Sequence, residues 1–397
     1  MSRLEIHRPE DLHSLLQESD RAFRDVVFQS LDLHGVADTL VQRGIQGAVL
    51  LGCTASAEEL EHLVRAGALI FPRLPHVPYD TYRVHLYEPQ ELLAGYSSGG
   101  SGSDGHGKSL DGRIYQHFLD VGGARPHSLI DAMAQRLHDA AITDAIADYL
   151  RGQHVVGIMG GHGLSRHSEG YAAIARLARR LARGGFLLVS GGGPGAMEAT
   201  HLGAWFAPRA NEDLESALAL LGEAPHFEPI DPWVDAALEV RRRFPLPADP
   251  AGRPQQGASL GIPTWHYGHE PSALFAPRIA KYFANSLRED GLVSVASGGL
   301  IFAPGSAGTI QEIFQDACQN HYLTEGFASP MLFYGEGYWS WNHPVFPLLS
   351  RLAAGRPYAQ YLAITDSQDV ILKRLQAFRD ELTARRQAPA SGEDHDH

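Results

Sequence analysis

The chain has 397 residues, 44% of them apolar and 20% charged, with a formal net charge of −13. That length exceeds one ordinary core and predicts two or three globular domains. The negative balance excludes a general nucleic-acid binder, whose affinity comes from clustered cations. No apolar run reaches the roughly 18 residues that span a bilayer, and "MSRLEIHRPEDLHSLL" lacks the basic-then-apolar order of a secretory signal, so no membrane partner and a cytoplasmic location are expected.

In chain order, "FRDVVFQSLDL", "GAVLLGC" and "ALIFPRL" predict strands alternating with the helices "VADTLVQRG" and "AEELEHLVRAG", a small α/β module over residues 1–95. Cys53 lies here and Cys318 far downstream. The two make no disulfide or metal spacing and are expected as reduced, packed thiols. A strand-like run, "TYRVHLYE", ends at Glu88. "GSDGHGKS", residues 102–109, then fits a phosphate-cradling P-loop, with Gly102, Gly107, Lys108 and Ser109 in the required places. Its context is wrong: the nearest strand ends far upstream, "PQELLAGYSSGGS" intervenes, and Leu110-Asp111-Gly112 should break the first turn of any helix. A flexible loop is expected, within a linker over residues 96–153 whose second half, "SLIDAMAQRLHDAAITDAIADYLRG", is helical. Histidine pairs such as His266 and His269, or His395 and His397, lack a third ligand, so no metal site is predicted.

The main domain is expected over residues 154–385, with 386–397 a tail. It opens with strand "HVVGIMG", loop "GHGLSRH" and helix "SEGYAAIARLARRLARGG", whose apolar stripe is Tyr171, Ile174, Ala175, Ala178 and Leu181. Ser168 is a fitting N-cap, and Gly184 and Gly185 end the helix. Strand "FLLVS" completes a βαβ unit, so the two strands should be parallel neighbours. "ASLGIPTW", "GLIFAPG" and "PMLFYG" continue the alternation and predict an α/β fold, a Rossmann-like doubly wound parallel sheet. Ligands of such sheets sit at the carboxyl ends of the strands, where two glycine-rich turns fall: "SGGGPGAME" after Val189 and "APGSAGTIQE" after Phe302. Each turn opens a helix and presents N–H groups suited to a phosphate. Gly191-x-Gly193-x-x-Ala196 also fits a loose dinucleotide fingerprint, but the region some 20 residues on, "PRANEDLESAL", reads as helix and supplies no acidic strand end.

Together the two turns resemble the LOG family, the cytokinin-activating phosphoribohydrolases often mislabelled lysine decarboxylases, and its bacterial relatives that hydrolyse nucleoside 5'-monophosphates. The family signature is a glycine triplet after one strand and Pro-Gly-Gly-x-Gly-Thr-x-x-Glu after a later one. Here the first is Gly191, Gly192, Gly193 with Gly195 and Met197 behind. The second is Pro304, Gly305, Ser306, Ala307, Gly308, Thr309, Ile310, Gln311, Glu312, with Ser306 in place of the middle glycine. The resemblance covers residues 154–340 and leaves out the first 150. An insertion over 206–257 separates the first turn's helix from the next strand.

The resemblance implies hydrolysis to free base and ribose 5-phosphate, a homo-oligomer, and a substrate-binding set of Gly160, Gly161, Gly191, Gly192, Gly193, Gly195, Met197, Gly305, Ser306, Gly308 and Thr309. The residues agree chemically: Gly308 and Thr309 open a helix and can hold a 5'-phosphate, while Glu312 lies one turn further in, facing the sugar. A carboxylate there can stabilise an oxocarbenium-like state and orient water, with no metal or cofactor. The family also implies a catalytic arginine at the start of the helix before the second turn. Arg278 in "LFAPRIAKYF" is the positional candidate, with Lys281 or Arg288 as replacements. Pyridoxal phosphate is not expected, because it needs a Schiff-base lysine and only Lys281 of the three lysines lies near these turns. The alternative is a non-catalytic nucleotide- or cofactor-binding protein of the same fold, resembling molybdenum-cofactor carriers.

Overall fold

The computed structural model describes residues 4–17, 22–99, 105–247, 259–268 and 270–387. The chain divides into two units, one of residues 1–86 and 114–149, the other of 87–113 and 150–397. Residues 96–113 and 150–153 fall in the second unit and residues 114–149 in the first.

In the first unit β1 (Glu5–Ile6), α1 (Pro9–Gln17), β2 (Val27–Gln29), α2 (Ala37–Gln42), β3 (Val49–Leu51), α3 (Ala57–Arg65) and β4 (Leu69–Phe71) follow one another. The four strands form a parallel sheet in that order. The three strands read from the sequence are β2, β3 and β4; β1 and α1 precede them. Helix α3 starts sharply because Ser56 accepts from the Glu59 amide and Glu59 accepts from the Ser56 amide, a closed capping box. Phe28, Leu40, Leu50 and Leu63 form the core, with Cys53 against it. "TYRVHLYE" is not a strand. The Gln29 side chain donates to the carbonyls of Tyr82 and Arg83, and the Ser30 hydroxyl donates to Tyr82 as well, so side chains take the place of a neighbouring strand.

Next in the chain come α4 (Pro89–Leu92), α5 (Leu110–Asp120) and α6 (Leu129–Leu150). The sequence "LDG" begins α5 and does not break it. Ser109 accepts from the Gly112 amide at 3.0 Å and donates to the His106 carbonyl at 2.6 Å, capping the helix. Glycine at 112 lets this turn lie directly against the His106 carbonyl. Residues 105–109 are an ordered turn, not a loose loop, and the His106 amide donates to Asp231 at 2.7 Å. Gly102 lies outside the described residues.

The second unit continues with β5 (Val155–Met159), α7 (Glu169–Arg183), β6 (Leu187–Ser190), α8 (Ala196–Trp205), α9 (Asn211–Gly222), α10 (Ile230–Arg243), β7 (Ser259–Gly261) and β8 (Arg278–Ile279). Then come α11 (Asn285–Ser294), β9 (Leu300–Phe302), α12 (Ala307–Tyr322), β10 (Met331–Tyr334), α13 (Val345–Ala353), β11 (Leu362–Thr365) and α14 (Gln368–Gln387). All seven strands are parallel, in the order β11-β10-β9-β5-β6-β7-β8. This is the Rossmann-like doubly wound sheet. The chain builds outward from β5 to β8, then returns to the other side of β5 at β9, so the switch point lies between β5 and β9. Helix α7 buries its expected stripe, and Ser168 accepts from the Tyr171 amide. The inserted residues supply α9 and α10, whose Leu214, Leu221, Trp233 and Val234 join the core of Ile158, Ile174 and Leu188. Cys318 on α12 is exposed and, unlike Cys53, does not pack as an apolar group. No helix among the described residues is long and apolar enough to cross a membrane.

Candidate functional site

Three loops converge at the switch point. After β5, the Gly161 amide donates to the Pro304 carbonyl at 3.0 Å, joining the first loop to the turn after β9. The Gly161 carbonyl in turn accepts from the Ala196 amide at 3.1 Å, joining it to the start of α8 after β6. Side chains are excluded from this junction. Gly195 has φ +73°, and a Cβ there would strike the carbonyls of Gly161 and His162; one at Gly305 would strike Thr309. Gly160 sits between the Ala196 and Ala303 side chains, and Met197 folds beneath Gly191 and Gly193.

Helix α12 opens toward this junction without a side-chain cap, so the amides of Ala307, Gly308 and Thr309 have no intrahelical acceptor. Ser306 is exposed, with φ −105°, outside the left-handed region, so it carries a side chain there without backbone strain. Gly308 is exposed with open space about its Cα, while Thr309 is buried against Gly305. Helix α8 is likewise uncapped at Gly195.

Glu312, on the next turn of α12, is half-buried. Burial pushes its carboxyl up to about 7, the Arg288 cation pulls it down, and Glu270 and Glu289 push it up again. Arg288 is buried on α11 beside Gly191. Its Nε donates to the Ile262 carbonyl at 3.0 Å and a terminal nitrogen to Glu270 at 2.6 Å. The other oxygen of Glu270 accepts from the Thr264 amide at 2.7 Å. Glu289 accepts from Asn285 and Gln311, and Asn285 also donates to the Tyr267 hydroxyl.

Arg278 does not stand at the start of a helix. Arg278 lies in edge strand β8, paired with Glu88 at 2.6 Å, and the helix before the second turn begins only at Asn285. Arg288 occupies the first turns of that helix. Lys281 is buried on Asp111.

Two buried groups support the glycine triplet without any motif to announce them. The His201 ring on α8 is neutral, held down to about 4 by burial. Its Nε2 donates to the Gly191 carbonyl and its Nδ1 accepts from Ser259, both at 2.9 Å. One turn earlier, Glu198 accepts a two-pronged contact from Arg166, 2.8 and 2.5 Å, and a bond from the Tyr171 hydroxyl. Arg166 also donates to the Trp233 carbonyl, so the inserted helix α10 and the loop after β5 are both tied to α8. Among the described residues no group of three or more His, Cys, Asp or Glu is arranged to hold a metal ion.

No family profile matches this chain, and no curated protein does. Solved structures similar to it include the molybdenum cofactor carrier protein of Chlamydomonas reinhardtii, 12% identical, covering 58% of this chain and 99% of the carrier with a TM-score of 0.34. Another is the molybdenum cofactor binding protein of Rippkaea orientalis, 15% identical, covering 57% of this chain and 98% of that one with a TM-score of 0.34.

Proposed function

We propose that the protein hydrolyses the N-glycosidic bond of nucleoside 5'-monophosphates, releasing free base and ribose 5-phosphate, as the resemblance to the LOG family implies. The observation that carries this reading is Glu312, a carboxyl with a pKa near 7 set beside a buried arginine, one turn inside an uncapped helix start at the switch point. The 5'-phosphate takes the amides of Ala307, Gly308 and Thr309 and the positive end of α12. The sugar then lies over Glu312. In its ionised form Glu312 stabilises the oxocarbenium-like state and orients the attacking water, while Arg288 balances the charge that Glu270 and Glu289 place around it. By the same resemblance the protein is a homo-oligomer.

The test is base release from AMP, CMP, GMP and UMP beside their nucleosides at matched ionic strength. A nucleoside forgoes two or three charge-assisted hydrogen bonds to the helix-start amides, about 1.5–3 kcal/mol each, so discrimination of about a hundredfold or more in kcat/KM is expected. Equal rates on adenosine and AMP would refute the phosphate role of α12. Tight mononucleotide binding without base release would instead favour a non-catalytic nucleotide- or cofactor-binding protein.

A further inference from the structure

The P-loop-like stretch leads into a buried ion pair that the proposed reaction does not use. Asp111, on the first turn of α5, and Lys281, just past β8, are each 1% exposed. The Lys281 Nζ lies 2.8 Å from one Asp111 carboxylate oxygen and 3.0 Å from the other. Trp265 Nε1 donates to Asp111 at 2.8 Å, the Ser272 hydroxyl donates to Asp111 at 3.2 Å, and His106 Nε2 lies 3.5 Å away. Burial would raise the Asp111 carboxyl, but Lys281 and His106 outweigh it and hold the group well below the usual carboxylate range. The ammonium spends a further bond, 2.7 Å, on the backbone carbonyl of Glu270. Glu270 is the residue whose side chain grips Arg288 and the Thr264 amide.

We infer that Asp111 and Lys281 are positioning residues for the candidate site: the pair fixes the backbone at Glu270, and through Glu270 it aims Arg288 at the glycine triplet and Glu312. A lysine bound to a carbonyl in a dry interior needs a counter-charge, because a lone buried ammonium is unstable. Asp111 supplies it from outside the region of family resemblance. The role of the 105–111 turn is then to deliver a carboxylate, with Ser109 as its cap, and the phosphate-cradle resemblance of its sequence is incidental. The inference rests on the hydrolytic reading for its kinetic consequence, but not for its structural one.

The experiment uses the full chain. Asp111→Asn alone strands a buried lysine, so the main variant is the double neutral Asp111→Asn/Lys281→Met, which removes both charges and leaves none unpaired. Amide exchange over residues 262–268, which contain the Thr264 donor, is expected to accelerate in this variant while the amides of β5, β6 and β9 keep their protection. With AMP, kcat is expected to fall by about tenfold to a hundredfold with KM changed far less, the scale of a misplaced reacting group. Unchanged exchange over 262–268 would overturn the inference, as would uniformly faster exchange across the sheet, the mark of a purely structural pair. Local loosening with unchanged kcat would also overturn it. If the parent protein releases base from no mononucleotide, the proposed function fails, and the exchange result alone decides whether the pair positions Glu270.

Discussion

Replacing Glu312 by Gln keeps the side chain's shape and removes its charge, and the site's electrostatics predict two opposite consequences. Turnover should drop by about 10² or more, the scale for losing one preorganised electrostatic group. Stability should move the other way at high pH. A carboxyl whose folded pKa is raised from 4.5 to about 7 favours the protonated state when folded. Its contribution is fully present below pH 4.5 and is lost as pH rises through 7. The ceiling of that loss is about 3 kcal/mol; Glu312 keeps some contact with solvent, so about 1–2 kcal/mol is expected between pH 5 and pH 8. Glutamine does not titrate. Urea denaturation of both proteins at the two pH values therefore should show the variant gaining on the parent by that amount at pH 8. In the same range the parent's kcat/KM should climb through pH 7 to a plateau, because the ionised carboxylate is the working form. Parallel stability at both pH values would refute the burial argument. Near-normal turnover in the variant, or parent activity that falls as pH rises through 7, would refute the role given to the carboxylate.

Arg288→Met should cut turnover severely, since it also strands the buried Glu270, whereas Arg278→Met should stay within a few-fold of the parent, because Arg278 pairs with Glu88 at an edge strand. Equal losses in the two variants would reverse that assignment. Lys108→Ala should leave mononucleotide turnover within a few-fold, because Lys108 is exposed and the turn around it is held through Ser109 and Asp231. A collapse in affinity or turnover would revive the phosphate-cradle reading of that stretch.

The parts of this protein that the sequence determines by itself are those whose signal is local. Alternating apolar runs located β2 to β7, β9 and β10, and the periodic stripe and Ser168 cap located α7, because side-chain spacing and capping are settled within a few residues. The turn from Pro304 to Glu312 is legible for the same reason: helix start, open amides and carboxyl lie within one contiguous stretch. Strands of two residues, β1 and β8, have no period to read. The missed start of α5 followed from treating Gly112 as a breaker, when it is the residue that lets the turn close against His106. The surroundings of Glu312 were decided by tertiary structure. Arg288 with Glu270, His201 under the triplet and Asp111 against Lys281 are pairings over 10 to 170 residues of chain. No spacing rule spans such distances. What selects these partners is burial itself, since a charge removed from water by the closing sheet is stable only where the fold brings an opposite charge or a hydrogen-bond acceptor to meet it.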